Sequence, residues 1–463
     1  MRHRHLDATL DAPTDMHADT ASWIPQVIFG GDPFWVSLAI FAITYVVILT
    51  DRLNRAIIAL LGAALMIFGG ILSQDAAVAG VDFNTLGLLT GMMLIVAISR
   101  RCGMFQYIAV WSAKKAGARP WGILVMLAVI TALLSALLDN VTTVLLVAPV
   151  TLIITEKLDI NPYPFLFAEI FASNIGGTAT LIGDPPNIMI GSAVGIGFNE
   201  FLLHLAPILP VILILTLAVI YFIWGRDMHA EPAARARVMA LDAAATITDA
   251  RLLKQSLTVL ALVITGFALA HPLHLSPATI AMAGAAVLLL LDNFAHSAEV
   301  QSQRVHKSFA EVEWVTIFFF LGLFIVVHGM ESAGVLTRLA QGIIALTGAD
   351  LAVTAQAILW VSALASAIVD NIPFVATMIP LIKSMAPVFG GSEQLMPLWW
   401  SLALGACLGG NGTLIGASAN LVVAGISERA GYPMRFMAFT LVAFPLMLMG
   451  IAVSSVYIHW RYF

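Results

Sequence analysis

Long apolar runs separated by short polar breaks dominate the chain after residue 30. Ten runs are long enough to cross roughly 30 Å of hydrocarbon at about 1.5 Å per residue. They cover 33–50, 54–72, 83–99, 163–198, 205–224, 255–271, 277–292, 313–330, 395–428 and 434–458. Two of them, 163–198 and 395–428, are too long for one straight helix, and glycines break each near its middle. Two further apolar regions, 121–154 and 351–386, lie between the third and fourth spans of each half. The pattern predicts an all-α polytopic membrane protein.

The runs repeat. A shift of 231 residues lays Val81-Asp82-Phe83 on Val312-Glu313-Trp314, Gly91 on Gly322, Asp139-Asn140 on Asp370-Asn371 and Pro149 on Pro380. A shift of 233 lays GGTATLIGDPPN, from Gly176, on GGNGTLIGASAN, from Gly409, with 7 of 12 positions identical. Earlier in each half, at a shift of 222, Arg55-AIIALLGAA falls on Pro277-ATIAMAGAA. The chain is therefore one unit of about five spans plus an extra apolar region, duplicated. An odd number of spans per unit sends the second unit into the membrane from the opposite side, so the repeats are inverted, as in secondary transporters with a site at the midplane. The expected organisation is a polar tail over 1–30, a first repeat over 31–224, a cytoplasmic linker over 225–254 and a second repeat over 255–463.

Composition agrees with lipid as the solvent. Only 11% of the 463 residues are charged, against about 25% in soluble domains, and the mean hydropathy is +0.95. Soluble enzymes, nucleic-acid binders and disulfide scaffolds are disfavoured together. Cys102 and Cys407 have no metal-ligand spacing. The tail carries Asp7, Asp11, Asp15, Asp19 and irregular histidines, lacks the pattern of a signal peptide and reads as disordered. One side of the ten-span arrangement collects 17 of the 22 basic residues, Arg55 among them, and the other collects 5. The richer side is expected to be cytoplasmic, with both termini outside a cytoplasmic membrane.

The two extra regions turn at Asp139-Asn140 and Asp370-Asn371. A return arm of about 12 residues broken by Pro149 covers only about 18 Å, so both regions, 121–154 and 351–386, are expected to be re-entrant hairpins. The glycine pairs Gly176-Gly177 and Gly409-Gly410, with Asp184-Pro185-Pro186, are expected to unwind the two long spans. Free carbonyls at such breaks suit ions. Asn174, Thr178, Thr180, Asn187, Asn411, Thr413, Ser418 and Asn420 add neutral polar groups there, as Thr142 and Thr143 do beside the first tip. Ionisable groups at membrane depth are functional candidates by default: Asp139, Asp184, Asp370 and Glu169, the last also a candidate for proton coupling with the two tip aspartates. With no Lys or Arg beside them, these carboxylates would repel a dianion and suit H⁺, Na⁺ or a neutral polyhydroxy solute. An intramembrane aspartyl protease is disfavoured, since Leu181-Ile182-Gly183-Asp184 lacks the first glycine of a Gly-x-Gly-Asp sequence, and neither HExxH nor GxSxG occurs. The chain reads as a transporter and not as an enzyme; a passive channel is separated from it only by whether flux is coupled to an ion gradient.

SNIGGTATLIGDPPNIMIGSA from Ser173, GGNGTLIGASAN from Gly409, LLDNVTT from Leu137 and VDNIPFVATMIP from Val369 resemble the signature segments of the ion transporter superfamily, in its ArsB/NhaD group, among permeases similar to the P (pink-eyed dilution) protein. The resemblance implies a mobile domain of hairpins and broken helices, a scaffold that dimerises and elevator-type alternating access. It implies no cofactor beyond a coupling Na⁺ or H⁺, no nucleic-acid partner, and leaves an arsenite-pump ATPase subunit open as a partner. Related dicarboxylate carriers carry Ser-Asn-Thr at the tips; Asp replaces that Ser here. The leading expectation is export of arsenite- or antimonite-like solutes. Na⁺/H⁺ antiport comes next, then Na⁺-coupled transport of a carboxylate or other anion.

Overall fold

The computed structural model describes Pro25, Val27, residues 30–50 and residues 52–463. Nearly all of the tail expected to be disordered, with Asp7, Asp11, Asp15 and Asp19, lies outside the described residues.

All regular structure among the described residues is helical. The first half contains α1 (Pro33–Leu49), α2 (Arg55–Phe68), α3 (Phe83–Arg100), α4 (Met104–Lys115), α5 (Pro120–Leu137), α6 (Asn140–Leu158), α7 (Tyr163–Gly177), α8 (Pro185–Val194) and α9 (Leu209–Ile223). The second repeats the order with α10 (Ala250–Ala268), α11 (Pro277–Asn293), α12 (Trp314–Ser332), α13 (Val335–Thr347), α14 (Leu351–Ile368), α15 (Asn371–Lys383), α16 (Met396–Gly409), α17 (Ser418–Arg429) and α18 (Phe436–Tyr462). A further short helix precedes α3 and α12 alike, Gln74–Ala79 and Ala298–Ala310. The stretch between the halves holds one helix, Pro232–Met239, packed on α6.

Length does not separate crossings from hairpin arms. Of the ten expected spans, only α3, α10, α12 and α18 are unbroken helices of 18 residues or more, whereas the hairpin arms α5, α6 and α14 also reach that length and are equally apolar. The return arm of the first hairpin is not a broken segment of about 12 residues: α6 is continuous over 19 residues with Pro149 inside it. Pro149 removes one N–H from the ladder, and the turns on either side hold because the helix is packed within protein. In the second half α15 has 13 residues and contains Pro380. Burial of the tips is what distinguishes the hairpins from two crossings joined by a surface turn. Asp139, Asn140 and Asn371 are 7%, 3% and 3% exposed.

Helix packing divides the molecule into two bodies. In one, here the scaffold, α2 packs on α12, α3 on α11, α10 on α11 and α1 on α2. In the other, α5 packs on α7, α14 on α16, α6 on α17, α16 on α18 and α9 on α7. The scaffold crossings are close because of the two glycines that the repeat superposes. A Cβ on Gly91 would lie 2.7 Å from the Ala281 carbonyl carbon, and one on Gly322 would lie 2.5 Å from that of Ala59. At one end of the scaffold the buried Asp292 carboxylate accepts from Arg101 at 3.0 Å and Arg304 at 2.5 Å, tying α3, α11 and the helix Ala298–Ala310 together.

Overpacking one of these crossings tests the division. Gly322→Leu must push α2 from α12 and is expected to cost about 3 kcal/mol, lowering the thermal unfolding midpoint of detergent-solubilised protein; an unchanged midpoint would contradict the close crossing.

Candidate functional site

Four helices of the second body, α6, α8, α15 and α17, begin at one place. A helix N-terminus presents unsatisfied N–H groups and about half a positive charge, so four together need acceptors. The chain supplies them. Asp139 caps α6: its Oδ1 accepts from the Thr142 N–H at 2.8 Å, and its Oδ2 accepts from the Thr142 hydroxyl. Asp370 caps α15, with Oδ1 accepting from the Ile372 N–H at 3.2 Å. Asp184 stands in extended conformation before α8.

Between these termini lies a cavity of about 20 Å³, lined by Asp139, Asn140, Asp184, Asn371 and Ser418 from the second body and by Arg55, Glu313 and Thr316 from the scaffold. A space of this size holds one water molecule or one dehydrated monovalent ion. Arg55 corrects the expectation that no cation accompanies the carboxylates: its Nη1 donates to Asp370 Oδ2 at 2.7 Å and to Ser418 Oγ at 2.8 Å. It is a residue of the site and not of the polar loop on the side rich in Lys and Arg. Glu313, the repeat counterpart of Asp82, accepts from the Thr316 hydroxyl at 3.2 Å. Four carboxylates thus face one guanidinium. Asp184 is 1% exposed. Its oxygens receive the Asn371 amide, at 3.3 and 3.4 Å, and the Cys407 thiol, although a carboxylate has room for about four donors.

A second layer consists of amides. Asn140 Nδ2 donates to Asn174 Oδ1 at 3.3 Å, and Asn174 Nδ2 donates to Asn411 and Asn420 at 3.0 Å each, joining the halves. Cys407, which the repeat lays on Asn174, lies 3.6 Å from Asn187 Oδ1. The helix breaks do not offer free carbonyls as expected. Asn187 Nδ2 donates to the carbonyls of Thr180 at 2.9 Å and Thr178 at 3.1 Å, and its counterpart Asn420 donates to those of Gly410 and Thr413 at 2.8 Å.

The remaining sequence candidates serve packing. The Thr178 hydroxyl donates to the Asn174 carbonyl at 2.7 Å, and the Thr180 and Thr413 hydroxyls donate at 2.5 Å to the Ala136 and Ala367 carbonyls of the descending hairpin arms. Gly176 and Gly409 let those arms approach, since a Cβ would lie 2.1 Å from the Ala132 oxygen or 2.6 Å from that of Ala363; Gly177 and Gly410 pack against the turns of their own breaks. Thr143 is buried away from the cavity. Glu169 is also outside it, accepting from the Thr151 hydroxyl, with Oε2 unpartnered among the described residues.

Residues 45–405 match the CitMHS family, described as citrate transporters. The chain belongs to the CitMHS citrate transporter family. A protein of Mycobacterium tuberculosis (strain ATCC 25618 / H37Rv) described as an uncharacterized transporter is 45% identical over 433 residues, covering 92% of this chain and 98% of the relative. The mouse P protein is 35% identical over 506 residues, covering 91% of this chain and 59% of its own length. The crystal structure of the Alcanivorax borkumensis YdaH transporter shares the fold, with a TM-score of 0.60 at 15% identity over 93% of this chain and 99% of that one. Within this CitMHS chain, sequence reading missed Arg55, Glu313 and Thr316 as site residues. The available signal was the unlike alignment of Arg55 on Pro277 and the like alignment of Glu313 on Asp82.

The amide layer gives a direct test. Asn420→Ala strands two buried carbonyls and is expected to cost about 3 kcal/mol, read as a fall in the thermal unfolding midpoint; a midpoint equal to that of the unaltered protein would show that the carbonyls find other donors.

Proposed function

We propose that this CitMHS protein is a secondary active transporter of the ArsB/NhaD type that moves a small inorganic solute across the cytoplasmic membrane, coupled to Na⁺ or H⁺. The observation that carries this reading is Asp184: a buried carboxylate with only neutral donors recorded on it, the Asn371 amide at 3.3 Å and the Cys407 thiol, beside a cavity the size of one ion. A proton or a monovalent cation supplies what its oxygens lack. The division into two bodies meeting at the site supports alternating access of elevator type, and the asymmetry of basic residues between the two sides supports termini outside. Arsenite and antimonite, small and uncharged near neutral pH, are the solutes to test first. Citrate, multiply anionic near neutral pH, would meet Asp139, Asp184 and Glu313 in the lining. Exchange of Na⁺ for H⁺ is the second reading, favoured by the excess of carboxylates over cations.

Currents from proteoliposomes on a solid-supported membrane, driven by jumps of Na⁺, pH or arsenite, test the proposal. Asp184→Asn is expected to reduce cation-driven currents by about tenfold or more, in line with the functional weight of intramembrane carboxylates. Wild-type currents in that variant, or no current from the unaltered protein with any of the three, would sink the reading.

A further inference from the structure

The two hairpin tips are alike in sequence but held differently. Asp139 is satisfied within its own body, by the backbone and hydroxyl of Thr142. Asp370 is held from outside it. Arg55, the first residue of α2 in the scaffold, donates from one nitrogen to both Asp370 and Ser418, at 2.7 and 2.8 Å, and the Ser418 hydroxyl donates back to Asp370 Oδ2 at 3.0 Å. The mirror-related triangle around Asp139 cannot form, because Pro185 stands where Ser418 does and Pro277 stands where Arg55 does. The guanidinium is itself held within the scaffold, 5.1 Å over the Phe319 ring of α12. One further contact fixes the same hairpin to the scaffold: Tyr45 of α1 donates at 2.6 Å to the Pro373 carbonyl in the first turn of α15.

The guanidinium is thus braced on one body while its acceptors belong to the other. A relative movement of one helical turn, about 5.4 Å, separates them fully. We propose that Arg55 is a tethered competitor of a coupling Na⁺ at Asp370: with no Na⁺ bound it neutralises Asp370 and latches the second hairpin to the scaffold, and a Na⁺ taken up at Asp370 releases it. Arg55 from α2 and Ser418 from α17 donate to Asp370, Asp184 from the break before α8 stands beside it, and Asp139 from α6 and Glu313 from α12 line the adjoining cavity together with Arg55. Arg55 is the only cation among these groups, so a cation bound at Asp370 leaves the guanidinium beside carboxylates of both bodies and removes the one charge pair that joins them among the described residues. This inference rests on the cation-coupled reading above.

The test uses full-length protein with Arg55→Gln and Arg55→Lys, in two measurements. The first is the half-saturating Na⁺ concentration of the proteoliposome currents. Loss of the competitor is expected to lower the half-saturating Na⁺ by about tenfold, the equivalent of one charge-assisted hydrogen bond, with Arg55→Lys lying between. The second is hydrogen exchange of the segment 369–374 in nanodiscs without Na⁺. Protection in the unaltered protein, lost in Arg55→Gln and lost on adding Na⁺, is expected. Cation-driven currents in which Arg55→Gln keeps the wild-type half-saturating Na⁺ overturn the latch and leave the transporter reading intact. Absence of cation-driven currents in the unaltered protein overturns both, and unchanged exchange at 369–374 in Arg55→Gln overturns the latch whatever the currents show.

Discussion

Four helix N-termini brought to one point inside an apolar protein impose a demand that little else in the chain can meet. Their N–H groups and partial charges require acceptors, and in lipid no bulk water supplies them. Asp139 and Asp370 answer that demand as caps, with one oxygen each committed to the backbone of the helix they begin. The tip aspartates are therefore structural and chemical at once. The same oxygens that end a helix cleanly also set the field in the cavity, and the helix ends offset part of the negative charge that four carboxylates bring.

Around that centre the chain separates rigidity from adaptability. The helix breaks, which invite the picture of loose backbone open to ions, are among the most fully bonded parts of the site. Asn187 and Asn420 fill the turns, and Thr180 and Thr413 fasten the hairpin arms to them. Between the two bodies, α12 meets α15 and α3 meets α8, and Leu89, Met93, Val141 and Ile372 line the cavity beside the charged groups. The seam thus combines apolar contact with a small number of charged and hydroxyl groups.

Much of this was legible in the residues. Apolar runs, the 231- and 233-residue shifts and the positions of Gly, Pro and Asp gave the repeats, hairpins and breaks, because each is a local consequence of hydropathy or backbone chemistry. What escaped was depth. Arg55 and Glu313 lie at the ends of apolar runs, where a charged residue ordinarily marks the water interface, and nothing local distinguishes a helix that starts at the surface from one that starts beside a cavity. The 14 residues of α2, short for a full crossing, carried the missing information, but only against a partner whose position the sequence does not give. Pro149 misled in the opposite sense: a proline that would end an isolated helix is accommodated where neighbours hold the turns around it. The asparagines of the breaks were correctly singled out as unusual, yet their amides serve the backbone before any ligand.

The pairing of Asn174 with Cys407 across the pseudo-twofold has a further consequence. Two identical halves would place the same side chain on both sides of the axis, and exchanging their roles would return an arrangement of equal energy. Here one side bridges the halves with an amide while the other offers a thiol near Asn187. The two arrangements that alternating access would interchange are consequently not isoenergetic. The resting orientation of the empty carrier becomes an equilibrium constant written into the differences between its halves, adjustable residue by residue without touching the carboxylates around the cavity.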